Sequence, residues 1–216
     1  MNASLVIFGA GGHALSVANV AVSCGLTVVA FVDNNQSGSE IMGIPVISPE
    51  KCFGGRSHQD IAIAIGDNVV RERVYNEILI KMPSAVFPTL VHSSSVIGIG
   101  ASVGAGAVVM PLVNVGPKSK IGGFCVLNSC CSVDHDSTLE AFSSIAPGAV
   151  CGGNVYVGFR SAVSMGAKVK QGVSIGNDVV IGANSYVNNP VEDNVVAFGT
   201  PCKVIRKRSI SDSYLT

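Results

Sequence analysis

The sequence predicts two joined units of different architecture, a small parallel α/β unit over residues 1–88 and a parallel β-solenoid over residues 89–216. Three observations carry this reading. An aliphatic residue recurs at every sixth position from Ile97 to Val187 without a slip of phase. The opening segment reads as strand, glycine turn and helix. Between the two, Pro83, Pro88 and the Ser93-Ser94-Ser95 run mark the change of periodicity.

The α/β unit begins with a short apolar strand, Leu5-Val6-Ile7-Phe8, that ends in Gly9-Ala10-Gly11-Gly12-His13. Residues 14–24 carry apolar positions at helical spacing and stop before Gly25. A second strand is predicted over 27–32, ending at Asp33, and a third over 60–65, ending at Gly66-Asp67. A second helix over 69–81 presents Val70, Val74, Ile78 and Leu79. Strands alternating with helices imply a parallel sheet.

In the second unit, fifteen of the sixteen residues at the six-residue step are aliphatic, and the exception is Cys151. Gly often follows, at 98, 104, 116, 122, 152, 158, 176 and 182, and a small residue or Val sits four positions after each aliphatic one. A period of six fits neither a helix of 3.6 residues per turn nor an alternating strand, but it suits a solenoid with one hexapeptide per flat face. Three faces close a triangular coil. The aliphatic residues then point inward, the small ones fill the corners, and the glycines are expected to take turn conformations that other residues resist. Sixteen repeats make about five coils.

Composition narrows the classes of function. The 216 residues are 48% hydrophobic and 13% charged, and no apolar run approaches the ~20 residues of a membrane span. The amino terminus lacks the basic region of a signal peptide, so the expected location is the cytoplasm, with no membrane partner. Basic and acidic residues balance at 14 each, which leaves no basic stripe for nucleic acid. Seven cysteines without a C-x-x-C pair suggest neither a disulfide framework nor a zinc knuckle.

The tandem [LIV]-G-x-x-x-x pattern resembles that of the hexapeptide-repeat sugar acyltransferases. Gly199-Thr200-Pro201-Cys202-Lys203-Val204-Ile205 is similar to that family's closing G-x-P-A-K-x-I segment, with Cys202 where Ala is usual. The Gly-x-Gly-Gly-His turn before such repeats resembles the sialic-acid O-acetyltransferase and bacillosamine-pathway N-acetyltransferase group. The resemblance implies an α/β Rossmann-like half domain that binds a nucleotide-linked sugar, followed by a left-handed parallel β-helix. It also implies acetyl-CoA as co-substrate, no metal, and a homotrimer with the coenzyme in the groove between subunits.

Acetyl transfer from a thioester needs a base for the proton of the attacking amine or hydroxyl, and a donor for the developing oxyanion. Of four histidines, His13, His58, His92 and His135, only His135 lies within the regular coils, at the third position of its repeat, where a side chain projects outward. The residues alone leave a plain surface histidine as the alternative. The resemblance implies that His135 is the base and that Asp136, where Glu is common, orients it; Asp134 could serve instead. It further implies the Gly153 amide as oxyanion donor, although a plain corner glycine fits equally, and coenzyme contacts at Ser144, Gly153, Met165, Ala183 and Lys203.

Gly9-x-Gly11-x-x-Ala14, followed by Asp33, matches a dinucleotide fingerprint, yet only half of a doubly wound domain precedes residue 90. The resemblance instead implies a UDP- or dTDP-sugar held by Gly11, Gly12, His13, Asp33, Gly66, Asp67 and Arg71, with turn capping as the alternative for His13. The implied reaction is N-acetylation of a 4-amino-4,6-dideoxy sugar for a surface glycan. The rivals are a sugar O-acetyltransferase, a non-catalytic β-helix that senses nucleotide sugar, and a γ-carbonic-anhydrase-like metal hydrolase, which one coil histidine argues against. Flat faces bearing Val126, Val150 and Tyr156 would be wet in a monomer, which also favours trimer packing.

Overall fold

The computed structural model describes residues 4–54 and 60–214, so Met1 to Ala3 and His58 lie outside the described residues. In the α/β unit, β1 (Ser4–Phe8) is the central strand, parallel to β2 (Thr27–Val32) on one side and to β5 (Asp60–Ile63) on the other. The sheet order is β3-β4-β2-β1-β5. Strands β3 (Glu40–Ile41) and β4 (Ile44–Ile47) form a hairpin turned by Met42 and Gly43, both at positive φ, as a tight two-residue connection requires. Helix α1 (Gly12–Ser23) buries Ala14, Val17, Val20 and Ala21. Two further helices, α2 (Pro49–Phe53) and α3 (Asn68–Lys81), complete the unit. The hairpin and α2 were not evident in the sequence, because neither spans enough residues to show a period.

The second unit is a left-handed parallel β-helix. Its strands pair in parallel with partners eighteen residues away, as in Asn114↔Ser132↔Val150↔Lys168↔Tyr186. Three ladders of six, five and eight strands form the faces. The aliphatic positions from Val109 to Val187 are at most 3% exposed, and the positions two before each, from Ala107 to Ser185, at most 4%. Buried serines in the second set are satisfied: Ser119, Ser137 and Ser161 donate to the carbonyls of Asp134, Gly152 and Gly176.

The glycine expectation needs correction. The glycines that follow the aliphatic residues are not in the left-handed region. They permit close approach, since a Cβ on Gly98, Gly104, Gly116 or Gly122 would lie 2.5–2.6 Å from a backbone nitrogen of the next coil. Positive φ falls instead two residues later, at every sixth position from Gly100 to Asn184. Most of these corners are not glycine, and each such residue costs about 1 kcal/mol or more.

One corner column recovers that cost by docking the α/β unit. Phe124, Phe142 and Arg160 stand one above another, with the two phenyl rings stacked at 5.0 Å and 7°. Tyr75 of α3 packs on both rings, and Arg160 pairs with Glu72 of α3 and with Asp178 below it. Arg71, expected at the nucleotide, is 1% exposed. All five of its N–H groups are used: Nε on Phe124 O, Nη1 on Ile65 O and Gly66 O, Nη2 on Asn68 Oδ1 and Phe142 O. It joins the two units and has no donor left for a ligand. Val126, expected on a wet face, is 1% exposed beneath the α/β unit, whereas Val150 and Tyr156 are 41% and 38% exposed. Among the described residues, no helix is long and apolar enough to cross a membrane.

Candidate active site

His135 occupies the corner between the six-stranded and five-stranded faces, and its main chain is held on both sides. Its N–H donates to Asp134 Oδ1 at 2.7 Å, and its carbonyl accepts from Asn154 N at 2.8 Å. The imidazole Nδ1 lies 2.8 Å from Asp136 Oδ2, with both side chains about half exposed. The hydrogen bond to Asp136, followed by the charge of Asp134, raises the His135 pKa above its ordinary value. With Nδ1–H engaged by the carboxylate, Nε2 carries the free lone pair. The ring rests on Gly153 of the next coil: a Cβ there would lie 2.6 Å from both Cε1 and Nε2. The arrangement is a proton acceptor, oriented from one side, above a bare stretch of main chain.

A cavity of about 380 Å³ lies elsewhere, between the α/β unit and the eight-stranded face. It brings together residues expected at the coenzyme, Ser144, Met165 and Ala183, with residues expected at the nucleotide sugar, His13 and Gly66. Asn128, Pro147, Ser164 and Tyr214 also line it and were not anticipated. Burial, then the charge of Arg71, lowers the His13 pKa to about 4, so the ring is neutral near pH 7. Its Nε2 is buried and meets no protein partner, an unsatisfied group of the kind that a ligand can complete. His135, Asp136 and Gly153 do not line this cavity. They lie at the next corner, across the width of the six-stranded face.

The remaining expected residues divide. Gly11 and Gly12 open α1, which has no side-chain cap and no acidic residue in its first turn, and the space around both is open. Asp33 Oδ1 accepts from the N–H groups of Asn35 and Gln36 and borders a second cavity of about 200 Å³, with Gly9, Phe8 and Glu77. Asp67 caps α3 by accepting from Val69 N and Val70 N. Lys203 is exposed on the last strand, Lys203–Lys207, outside the cavity.

Comparison with known proteins agrees with this anatomy. A family model described as the PglD N-terminal domain matches residues 4–78. GDP-perosamine N-acetyltransferase of Escherichia coli O157:H7 is 30% identical over 185 residues, which cover 82% of each chain. The crystal structure of PerB from Caulobacter crescentus, in complex with CoA and GDP-perosamine, shares 32% identity over 94% of this chain and 97% of that one, with a TM-score of 0.87. The acetyltransferase domain of PglB from Neisseria gonorrhoeae, in complex with acetyl coenzyme A, shares 31% identity over 95% of this chain and all of that one, with a TM-score of 0.88.

Proposed function

The chain belongs to the hexapeptide-repeat sugar acetyltransferases, and from that premise we propose that it transfers the acetyl group of acetyl-CoA to the 4-amino group of a nucleotide-linked 4-amino-4,6-dideoxy sugar. The observation that carries the chemistry is the His135–Asp136 pair seated on Gly153. The amine attacks the thioester carbonyl carbon, and the oxyanion that forms accepts from the Gly153 N–H. His135 Nε2 takes the proton from the attacking nitrogen, while Asp136 stabilises the imidazolium. Collapse breaks the C–S bond, and the proton passes from His135 to the CoA thiolate. Acetyl amide and free CoA leave, with the histidine neutral again and no covalent enzyme intermediate.

Binding follows the same division of residues. The uncapped start of α1 at Gly11 and Gly12 suits a diphosphate. Asp33, at the carboxyl end of β2, faces the crevice where ribose sits in open α/β sheets. Asp67 flanks the same strand ends. Neutral His13 and Gly66 receive the sugar, and Ser144, Met165 and Ala183 take the thioester arm of acetyl-CoA, with Lys203 toward its phosphates. Because the base and the cavity lie at different corners of one chain, they meet only if a neighbouring subunit brings its corner across. This favours a homotrimer, which would also cover Val150 and Tyr156.

The nucleotide expected from the sequence is UDP or dTDP, whereas two of the relatives above, those of Escherichia coli and Caulobacter crescentus, carry the name of a GDP-linked sugar. A panel of GDP-, UDP- and dTDP-linked 4-amino-4,6-dideoxy sugars, with sialic acid as the hydroxyl acceptor, tests the reading by CoA thiol release and product mass. Thiol release with an amino sugar and an acetamido product support it. Turnover of sialic acid alone would make the protein an O-acetyltransferase, and thiol release with none of them would remove the transferase reading.

A further inference from the structure

The C-terminal tail belongs to neither sequence pattern, yet it is tightly fastened. Arg208, which follows the last strand, is 6% exposed; its N–H donates to Asn194 O, and its guanidinium donates to Asp178 O and Asp212 O. Asp212 folds back, its carboxylate accepting from Arg206 Nη1 at 2.6 Å and from Ser209 N at 3.3 Å. This closed turn aims Tyr214 into the roof of the 380 Å³ cavity, with the Arg208 guanidinium 5.6 Å from its ring centroid.

The Tyr214 hydroxyl ties the tail to the α/β unit. It donates to Gly66 O at 3.3 Å and accepts from Asn68 N at 3.2 Å, the main-chain groups where β5 gives way to α3. Burial raises its pKa, so the phenol stays protonated and remains a donor. The ring shares the cavity with His13, whose buried Nε2 awaits a partner. An aromatic face beside one unsatisfied polar atom matches the mixed apolar and polar surface of a deoxyamino sugar.

We propose that Tyr214 is a positioning residue for the acceptor: the tail supplies one wall of the sugar cavity, and the phenol holds the Gly66–Asn68 turn that the nucleotide-linked sugar must pass. This rests on the reading that the His13–Gly66 end of the cavity takes the sugar, while Ser144, Met165 and Ala183 take the thioester arm. It assigns to the tail segment 208–214 a part in acceptor binding, separate from the acetyl-transfer chemistry proposed at His135.

The test compares wild type, Tyr214→Phe and Tyr214→Ala, varying each substrate in thiol-release assays and titrating the same GDP-, UDP- and dTDP-linked amino sugars by calorimetry. Tyr214→Ala should raise the KM and Kd for the amino sugar about tenfold or more, as loss of an apolar pocket contact does. The KM for acetyl-CoA should stay within about twofold. Tyr214→Phe keeps the wall and loses the ties, so its KM should rise only about threefold, the scale of one neutral hydrogen bond. A merely structural tyrosine would lower Tm and kcat while leaving the sugar KM alone, and that pattern overturns the proposal. So does a rise confined to acetyl-CoA. Should Tyr214→Ala fail to fold, Tyr214→Phe decides by the same split. Sugar binding without thiol release in wild type would sink the transferase reading, and the dissociation constants would still judge Tyr214.

Discussion

At residue 136 the aspartate suits both its backbone and its neighbour. The position lies in the corner column at φ +57°, where Asp and Asn are tolerated better than longer side chains. The short carboxylate nevertheless reaches His135 Nδ1 at 2.8 Å, because αL geometry turns it toward its neighbour. One residue thus both makes the turn and orients the imidazole, and Asp134 is left to hold the main chain. In the mechanism proposed, the neutral ring acts as the base. A pKa raised by Asp136 therefore places the acid limb of kcat/KM above the ordinary histidine value of about 6.5, with activity gained as pH rises through it. Asp136→Asn should move that limb to lower pH and reduce the plateau rate ~10-fold or more, since the tautomer is no longer fixed. A pH profile with an unmoved limb would mean that Asp136 does not bear on the base. The outward projection of His135 was legible from its phase in the repeat. Tyr214 and the unsatisfied His13 nitrogen were not, because a tail residue has no period and burial depends on how the units dock.

Among the elements, the coils show what a repeat reveals and what it conceals. Two inward columns per face could be read from the spacing of aliphatic and small residues. The reason for the glycines could not, since turn geometry and close approach leave the same letter in the sequence. At Gly116 an added Cβ would stand 2.5 Å from the backbone nitrogen of His135. Gly116→Ala should therefore spread two coils, at a cost of about 1–3 kcal/mol, and shift the main chain that carries the base. Thermal unfolding should show a lowered Tm together with reduced turnover; an unchanged Tm would mean that the coils separate freely there. Helix α3 gives the opposite lesson. Its apolar spacing predicted a helix, but its docking surface consists of corner residues eighteen apart, Phe124, Phe142 and Arg160, which no hydrophobic pattern distinguishes from solvent-facing turns. Arg71 was misassigned for that reason.

For the whole molecule, the decisive feature is the separation of base and cavity. His135 stands at one corner of the triangular section and the cavity spans another, so in the function proposed a lone chain holds two half-sites. The exposed apolar residues on the intervening face, Val150 among them, are those that a threefold contact would bury. The measurement that tests this account most directly is complementation between two damaged chains. His135→Ala removes the proposed base, and Ala146→Trp, at a residue that lines the cavity, fills it; each alone should turn over acetyl-CoA and the amino sugar ~100-fold or more slowly than wild type. Coexpressed at equal levels, the two should recover up to about a quarter of wild-type activity, because in randomly mixed trimers that fraction of contacts pairs an intact base with an intact cavity. Wild-type rates for His135→Ala, or no recovery in mixed trimers of two inactive chains, would contradict the shared site and its base.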